Sequence, residues 1–310
     1  MDEILTKTFQ VVIIFLFIIG YIGNLLTIVV LKFEKGLRPF TKIMMIMQAF
    51  WDSMFLLVPG MRYYFLIRDK YDIRKLSQTF KMVHLYLTFL IVDCSVWHLC
   101  TVAIERMCLV VWPTNSLIRR VSYKEAIILS FIFVIFSSFV HSEMYFDTSL
   151  TIMISYYIVL SIAMIIPFFV IAFSTFMILK KLKTSFPKVT PNGQTKSNNN
   201  QLFAIKMVLV VSFYYLLTAT PMVIVVMLTN DKVVSPSTVS DVLIKSVNIA
   251  AILITSDHSV KFYLYTISVP HLRKVFIKII MGLWHKLINK SHENIQGNVT
   301  AEVETTVKSD

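Results

Sequence analysis

Seven runs of this chain are long and apolar enough to cross a bilayer, at about 8–31, 43–67, 79–112, 126–146, 151–179, 202–228 and 242–269. A span needs roughly 20 such residues, and only a helix or a closed barrel satisfies its own backbone hydrogen bonds in lipid. Runs of this length predict an all-α membrane protein, a seven-transmembrane helix bundle. Only 15% of the residues are charged, against about a quarter in soluble domains. The first run exceeds the roughly 7–15 apolar residues of a signal core, so it is expected to be a span. After the seventh run, Pro270 and the basic stretch 271–280 form a short amphipathic eighth helix, expected to lie along the membrane surface. The expected organisation is an outer segment 1–7, a bundle 8–269, a surface helix 270–288 and a disordered tail 289–310.

Loop charge sets the orientation. Lys32, Lys35, Arg38 and Lys42 follow the first run; Arg119, Arg120 and Lys124 follow the third. Lys180, Lys181, Lys183, Lys188, Lys196 and Lys206 flank the loop after the fifth, and 273–290 is basic again. The alternate loops carry mixed charge, as in Arg68-Asp69-Lys70-Tyr71-Asp72. The positive-inside bias therefore predicts a multi-pass membrane protein with its N-terminus outside and its C-terminus cytosolic. The net charge of +12 is accounted for by those loops and argues for no nucleic-acid partner. Cys94, Cys100 and Cys108 share one predicted helix, too far apart for a disulfide. No zinc spacing is present, and neither a metal nor a cofactor is predicted. The polar stretch 187–201 reads as an inner loop, and two sequons, at Asn289 and Asn298, fall on the cytosolic side.

Polar groups inside the apolar runs carry the functional signal, because such groups face a bundle interior and mark function. They are Asn24 after Gly23, Asp52 in the second run, Glu105-Arg106 closing the third before Trp112-Pro113, and Asp257 and Lys261 in the seventh. Each has a plainer alternative. Asn24 could be a packing residue, Arg106 a helix-end anchor, and Lys261 a side chain that snorkels to the cytosol. Pro167 and Pro221 add a helix proline each to the fifth and sixth runs.

Together these residues resemble rhodopsin-like G-protein-coupled receptors across the whole bundle. The resemblance implies an extracellular ligand and a heterotrimeric G protein as partners. It implies that Glu105 restrains Arg106 at rest, and that Glu105, Arg106, Tyr215, Pro221 and Tyr265 make the switch that reaches the G protein. It places Asn24, Asp52, Ser95, Asp257 and Lys261 in an intramembrane polar network, Asp52 being where the family binds sodium. The seventh run departs from the pattern. Where the family reads Asn-Pro-x-x-Tyr, this chain reads Lys261-Phe262-Tyr263-Leu264-Tyr265. The expectation is that the Lys261 ammonium takes the place of sodium among Asp52, Asp257 and Ser95, since Asp257 lies one turn earlier on the same face. Other departures are Ala219 for the sixth-helix tryptophan, Thr175 for the fifth-helix tyrosine and Lys81 for the disulfide cysteine.

The resemblance also narrows the ligand. Thr88 stands where amine receptors carry aspartate, and Thr255 where opsins carry the retinal lysine. The Asp257-x-x-x-Lys261 spacing is that of microbial rhodopsins, but Glu105-Arg106 has no counterpart in them. The ending Lys261-Phe262-x-x-Tyr265 followed by Arg273-Lys274-Val275-Phe276 looks like invertebrate neuropeptide receptors of the FMRFamide-like type. Candidate ligand contacts in the outer half are Tyr63, Tyr64, Lys81, Thr88, Phe89, Val92, Asp93, Glu143 and Asp241. Aromatic and charged groups there suit a peptide with a basic residue and an aromatic end. The competing readings are a divergent chemosensory receptor and a transporter or ion relay using Lys261, Asp257, Asp52 and His258. The chain lacks a metal cluster or nucleophile pair, and no enzyme activity is expected.

Overall fold

The computed structural model describes residues 3–69, 71–116, 120–142, 162, 165–185, 195–229, 241–270 and 272–282. Along the described residues run the helices α1 (Glu3–Phe33), α2 (Pro39–Phe55), α3 (Met61–Asp69), α4 (Gln78–Val111), α5 (Tyr123–Ser142), α6 (Ile166–Ser185), α7 (Thr195–Thr229) and α8 (Asp241–Ser268). α2 and α3 are one span interrupted by a π-helical turn, Leu56–Gly60. Pro59 lies inside that turn; it has no N–H to donate, and a widened turn accommodates the missing bond. The result is a seven-transmembrane bundle with no strand among the described residues. The chain forms two compact units, Met1–Val269 and Pro270–Asp310. Within the second, residue 270 and residues 272–282 are helical.

Five of the helices meet the length and hydropathy of a membrane span outright: Lys7–Phe33, Pro39–Leu66, Gln78–Val111, Tyr123–Ser142 and Ile205–Met222. α8 carries Asp257, His258 and Lys261, which lower its hydropathy but are buried inside the bundle. The described part of α6 soon reaches Lys180, Lys181 and Lys183. The bundle is inverted relative to a water-soluble protein. Along α1, Val11, Phe15, Ile18, Ile22, Leu25 and Val29 form an exposed apolar stripe, while Asn24 and Thr27 are buried. Steps of three and four keep that stripe on one face of the helix, and lipid is the solvent that suits it.

α4 runs through the middle and touches α2, α5, α6 and α7, while α1 packs on α2 and α8 and α7 closes on α8. It starts cleanly because Ser77 accepts a hydrogen bond from the Phe80 N–H. It stops at Val111 because Trp112, at φ −122°, precedes Pro113 and is driven out of helical space. Glycine permits the closest approach. A Cβ on Gly20 would lie 2.5 Å from Leu56 Cδ1 and 2.8 Å from Ser259 Oγ, and one on Gly23 would lie 3.1 Å from Tyr263 Cε2. At these glycines α1 packs against side chains of α8 and the π-helical turn with no room for a side chain of its own.

Residues 3–7, expected to lie outside the membrane, are helical and open α1. One boundary differs from expectation. Residues 195–201, read as loop, begin α7. Ser and Asn are poor helix formers, yet extending an existing helix is far easier than nucleating one, so the apolar span propagates into them. Residues 186–194 and the tail 283–310 lie outside the described residues.

Candidate intramembrane polar network

Four helices send polar side chains to one buried point. Asp52 comes from α2, Ser95 from α4, Asn24 from α1, and Asp257, His258 and Lys261 from α8; all are buried. The Lys261 Nζ lies 3.1 Å and 3.0 Å from the two Asp52 oxygens and 3.1 Å from Asp257 Oδ2. Ser95 Oγ donates to Asp52 Oδ1, and His258 Nδ1 lies 2.6 Å from the same oxygen. Asn24 Nδ2 donates to the His258 carbonyl at 3.2 Å, tying α1 to α8. The His258 ring stacks on Phe55, centroids 3.8 Å apart. Lys261 does not snorkel: its side chain is 4% exposed. An ammonium between two carboxylates offsets the cost of burying each charge alone. His258 entered the sequence reading only through the ion-relay alternative, although it contacts Asp52 directly.

A bound sodium ion is what the resemblance implies at Asp52. The residues present do not fit it, because the Lys261 ammonium already lies between the Asp52 and Asp257 carboxylates. Among the described residues no group of three or more His, Cys, Asp or Glu side chains could hold a metal.

At the other end of α4, Glu105 and Arg106 are buried. Glu105 Oε1 accepts from Arg38 Nη1 at 2.7 Å, and its Oε2 accepts from Thr41 Oγ1 at 2.5 Å. Arg106 Nη2 donates to Thr41 Oγ1 and lies 3.8 Å from Glu105 Oε2. Arg106 Nε has no described hydrogen-bond partner. Glu105 is thus bound more closely to Arg38 than to Arg106. Arg38 precedes Pro39 at the start of α2; in sequence it is one basic loop residue among several. Tyr215 and Tyr265 are buried. Pro221 lies within an unbroken α7, and Pro167 is the second residue of α6, its carbonyl 3.8 Å from Cys100 Sγ.

The outer candidates divide. Asp93 Oδ2 accepts from Ser137 Oγ at 2.8 Å and lies 2.8 Å from His141 Nε2, both on α5. Phe89 stacks on the His141 ring. A second tie one layer away joins His98 Nε2 to Ser130 Oγ at 2.9 Å. Ser130, Ser137 and His141 recur at steps of seven and four, one face of an otherwise apolar helix. Sequence reading missed them, though that spacing was an available signal. Tyr63 and Val92 pack against the Phe55–Leu56–Ile91 cluster. Thr88 Oγ1 lies 3.4 Å from His84 Nδ1, Tyr64 accepts from Arg68 at 3.3 Å, and Lys81 is exposed. Glu143 lies outside the described residues, as does the side chain of Asp241.

Above the bundle, Asp72 accepts from Arg62 and Arg74, each through two nitrogens, at 2.6–3.1 Å. Partial burial raises the Asp72 carboxyl, but the hydrogen bonds and charge of the two guanidiniums outweigh it and hold the group well below the usual carboxylate range. The three cysteines are free thiols.

Seven spans surround a buried charge network, with an acid–arginine pair at one end of the central helix, which is the architecture of a heptahelical membrane protein. Residues 23–260 match the family described as 7 transmembrane receptor (rhodopsin family), and the chain belongs to that family. No individual curated protein matches it.

Proposed function

We propose that this receptor lies in the plasma membrane, binds an extracellular neuropeptide and activates a heterotrimeric G protein on the cytosolic side. The loop charges support that orientation, and family membership supports the receptor role. The observation that carries the coupling is the Arg106 guanidinium, buried at the end of α4 on the side of the basic loops, with one nitrogen on Thr41 and another without a partner. A side chain held by so few bonds can exchange them when the bundle changes state. Arg38 and Thr41 bind Glu105 and thereby position Arg106. In the bundle centre, Lys261 acts as a built-in cation for Asp52 and Asp257. For the ligand, the Lys-Phe-x-x-Tyr ending supports a peptide. The exposed Lys81 and the outer tyrosines are its proposed contacts, with Asp93 serving as the α4–α5 tie.

The test is expression of the full chain in cells, a screen of amidated neuropeptides, and a calcium or cAMP readout. A peptide should signal through the wild-type receptor. In Arg106→Ala its binding should persist while the signal is lost. Ligand-independent substrate flux or current through the purified protein, with no peptide response, would instead favour a transporter.

A further inference from the structure

A groove of about 690 Å³ runs along the outer seam of α7 and α8. Lys206, Leu209, Phe213 and Leu217 line it on α7, and Leu264 and Ser268 on α8. Its walls are apolar, and its hydrophilic groups gather at one end: Lys206 lies in the early turns of α7, and Ser268 is the last residue of α8. Tyr214 also lines the groove, and its hydroxyl is taken up by Ser256 Oγ at 2.8 Å. Phe213 is 54% and Leu217 70% exposed, so the apolar wall faces outward from the bundle. Lys206 is exposed, and no acidic side chain pairs with it among the described residues.

We propose that this groove is a binding site for one anionic phospholipid, its acyl chain against Leu209, Phe213 and Leu217 and its phosphate at Lys206. The dimensions favour a lipid of a single leaflet. From Lys206 to Leu217 the helix rises about 16 Å, half of a roughly 30 Å hydrocarbon core. A lysine at the membrane surface attracts anionic headgroups and discriminates against zwitterionic ones. The site lies apart from the Asp52 and Arg106 groups, and its occupancy does not depend on the peptide-receptor reading. Only naming the leaflet cytosolic rests on the loop-charge orientation.

The test is native mass spectrometry of the full-length receptor equilibrated in detergent with equal palmitoyl-oleoyl phosphatidylserine and phosphatidylcholine. Wild type should retain phosphatidylserine preferentially. Lys206→Gln should lower the retained serine-to-choline ratio about five-fold, while Lys124→Gln, a basic residue elsewhere, should leave it unchanged. A thermal-melting control establishes that each variant is folded. An unchanged ratio in Lys206→Gln, or equal losses in both variants, overturns the proposal. Equal retention of dihexanoyl phosphatidylserine also overturns it, since the headgroup would then bind without the groove.

Discussion

Lys261 is buried, with its ammonium on Asp52 and Asp257, so its charge depends on those two carboxylates. Removing the cation leaves two buried carboxylates facing each other, a loss of about 3–5 kcal/mol. Lys261→Met should therefore lower the thermal midpoint in detergent sharply, and Lys261→Met with Asp257→Asn should recover much of the loss. A single variant that melts like wild type would mean that the ammonium is not needed there. Asp93 is the second test at this scale. With Ser137 and His141 on one of its oxygens, Asp93→Asn should cost about 1–3 kcal/mol and leave peptide potency unchanged; a drop in potency with stability intact would make it a ligand contact. Asn24, Asp52, Asp257 and Lys261 were legible in the sequence because a polar group in an apolar run is an anomaly. Arg38 and Thr41 were not. One looks like any loop cation and the other like any helix-start threonine, and only the fold brings them to Glu105.

The spans themselves were legible from hydropathy, because lipid demands a long apolar helix for each crossing. Their interruptions were not. The π-helical turn at Leu56–Gly60 contains Pro59, and the N-terminal extension of α7 overrides poor local propensity. The α1–α8 contact depends on the absence of side chains. Gly20→Val would place a branched carbon where a Cβ already falls 2.5 Å from Leu56 and 3.0 Å from Ser259 Cβ. It should lower stability by about 1–3 kcal/mol, read as a reduced melting midpoint; an unchanged midpoint would show that the helices can part freely. The turn at Ile73–Lys75 depends on Asp72. Its carboxyl is held below the ordinary value, so its contribution is complete at neutral pH and is lost as pH falls below about 4. Hydrogen exchange of this turn should speed up in acid in the wild type, whereas in Asp72→Asn it should already be fast at neutral pH and change little with acid. The same acid profile in both proteins would exclude this clamp as its cause.

At the scale of the molecule, a rhodopsin-family bundle carries a cation for its central carboxylates on α8, its seventh span. The sequence made the substitution visible, since Lys261 stands where the family has asparagine. It did not make visible the direct contact of His258 with Asp52, because the two residues lie on different helices and meet only in the folded bundle. A tethered cation cannot diffuse away, so the resting bundle should be indifferent to sodium. The most direct measurement is the melting midpoint of the purified receptor in sodium chloride against choline chloride at equal ionic strength. Wild type should show the same midpoint in both salts, and Lys261→Asn, which empties the position between the carboxylates, should become more stable in sodium. A sodium-specific rise in the wild-type midpoint that disappears in Asp52→Asn would contradict the account.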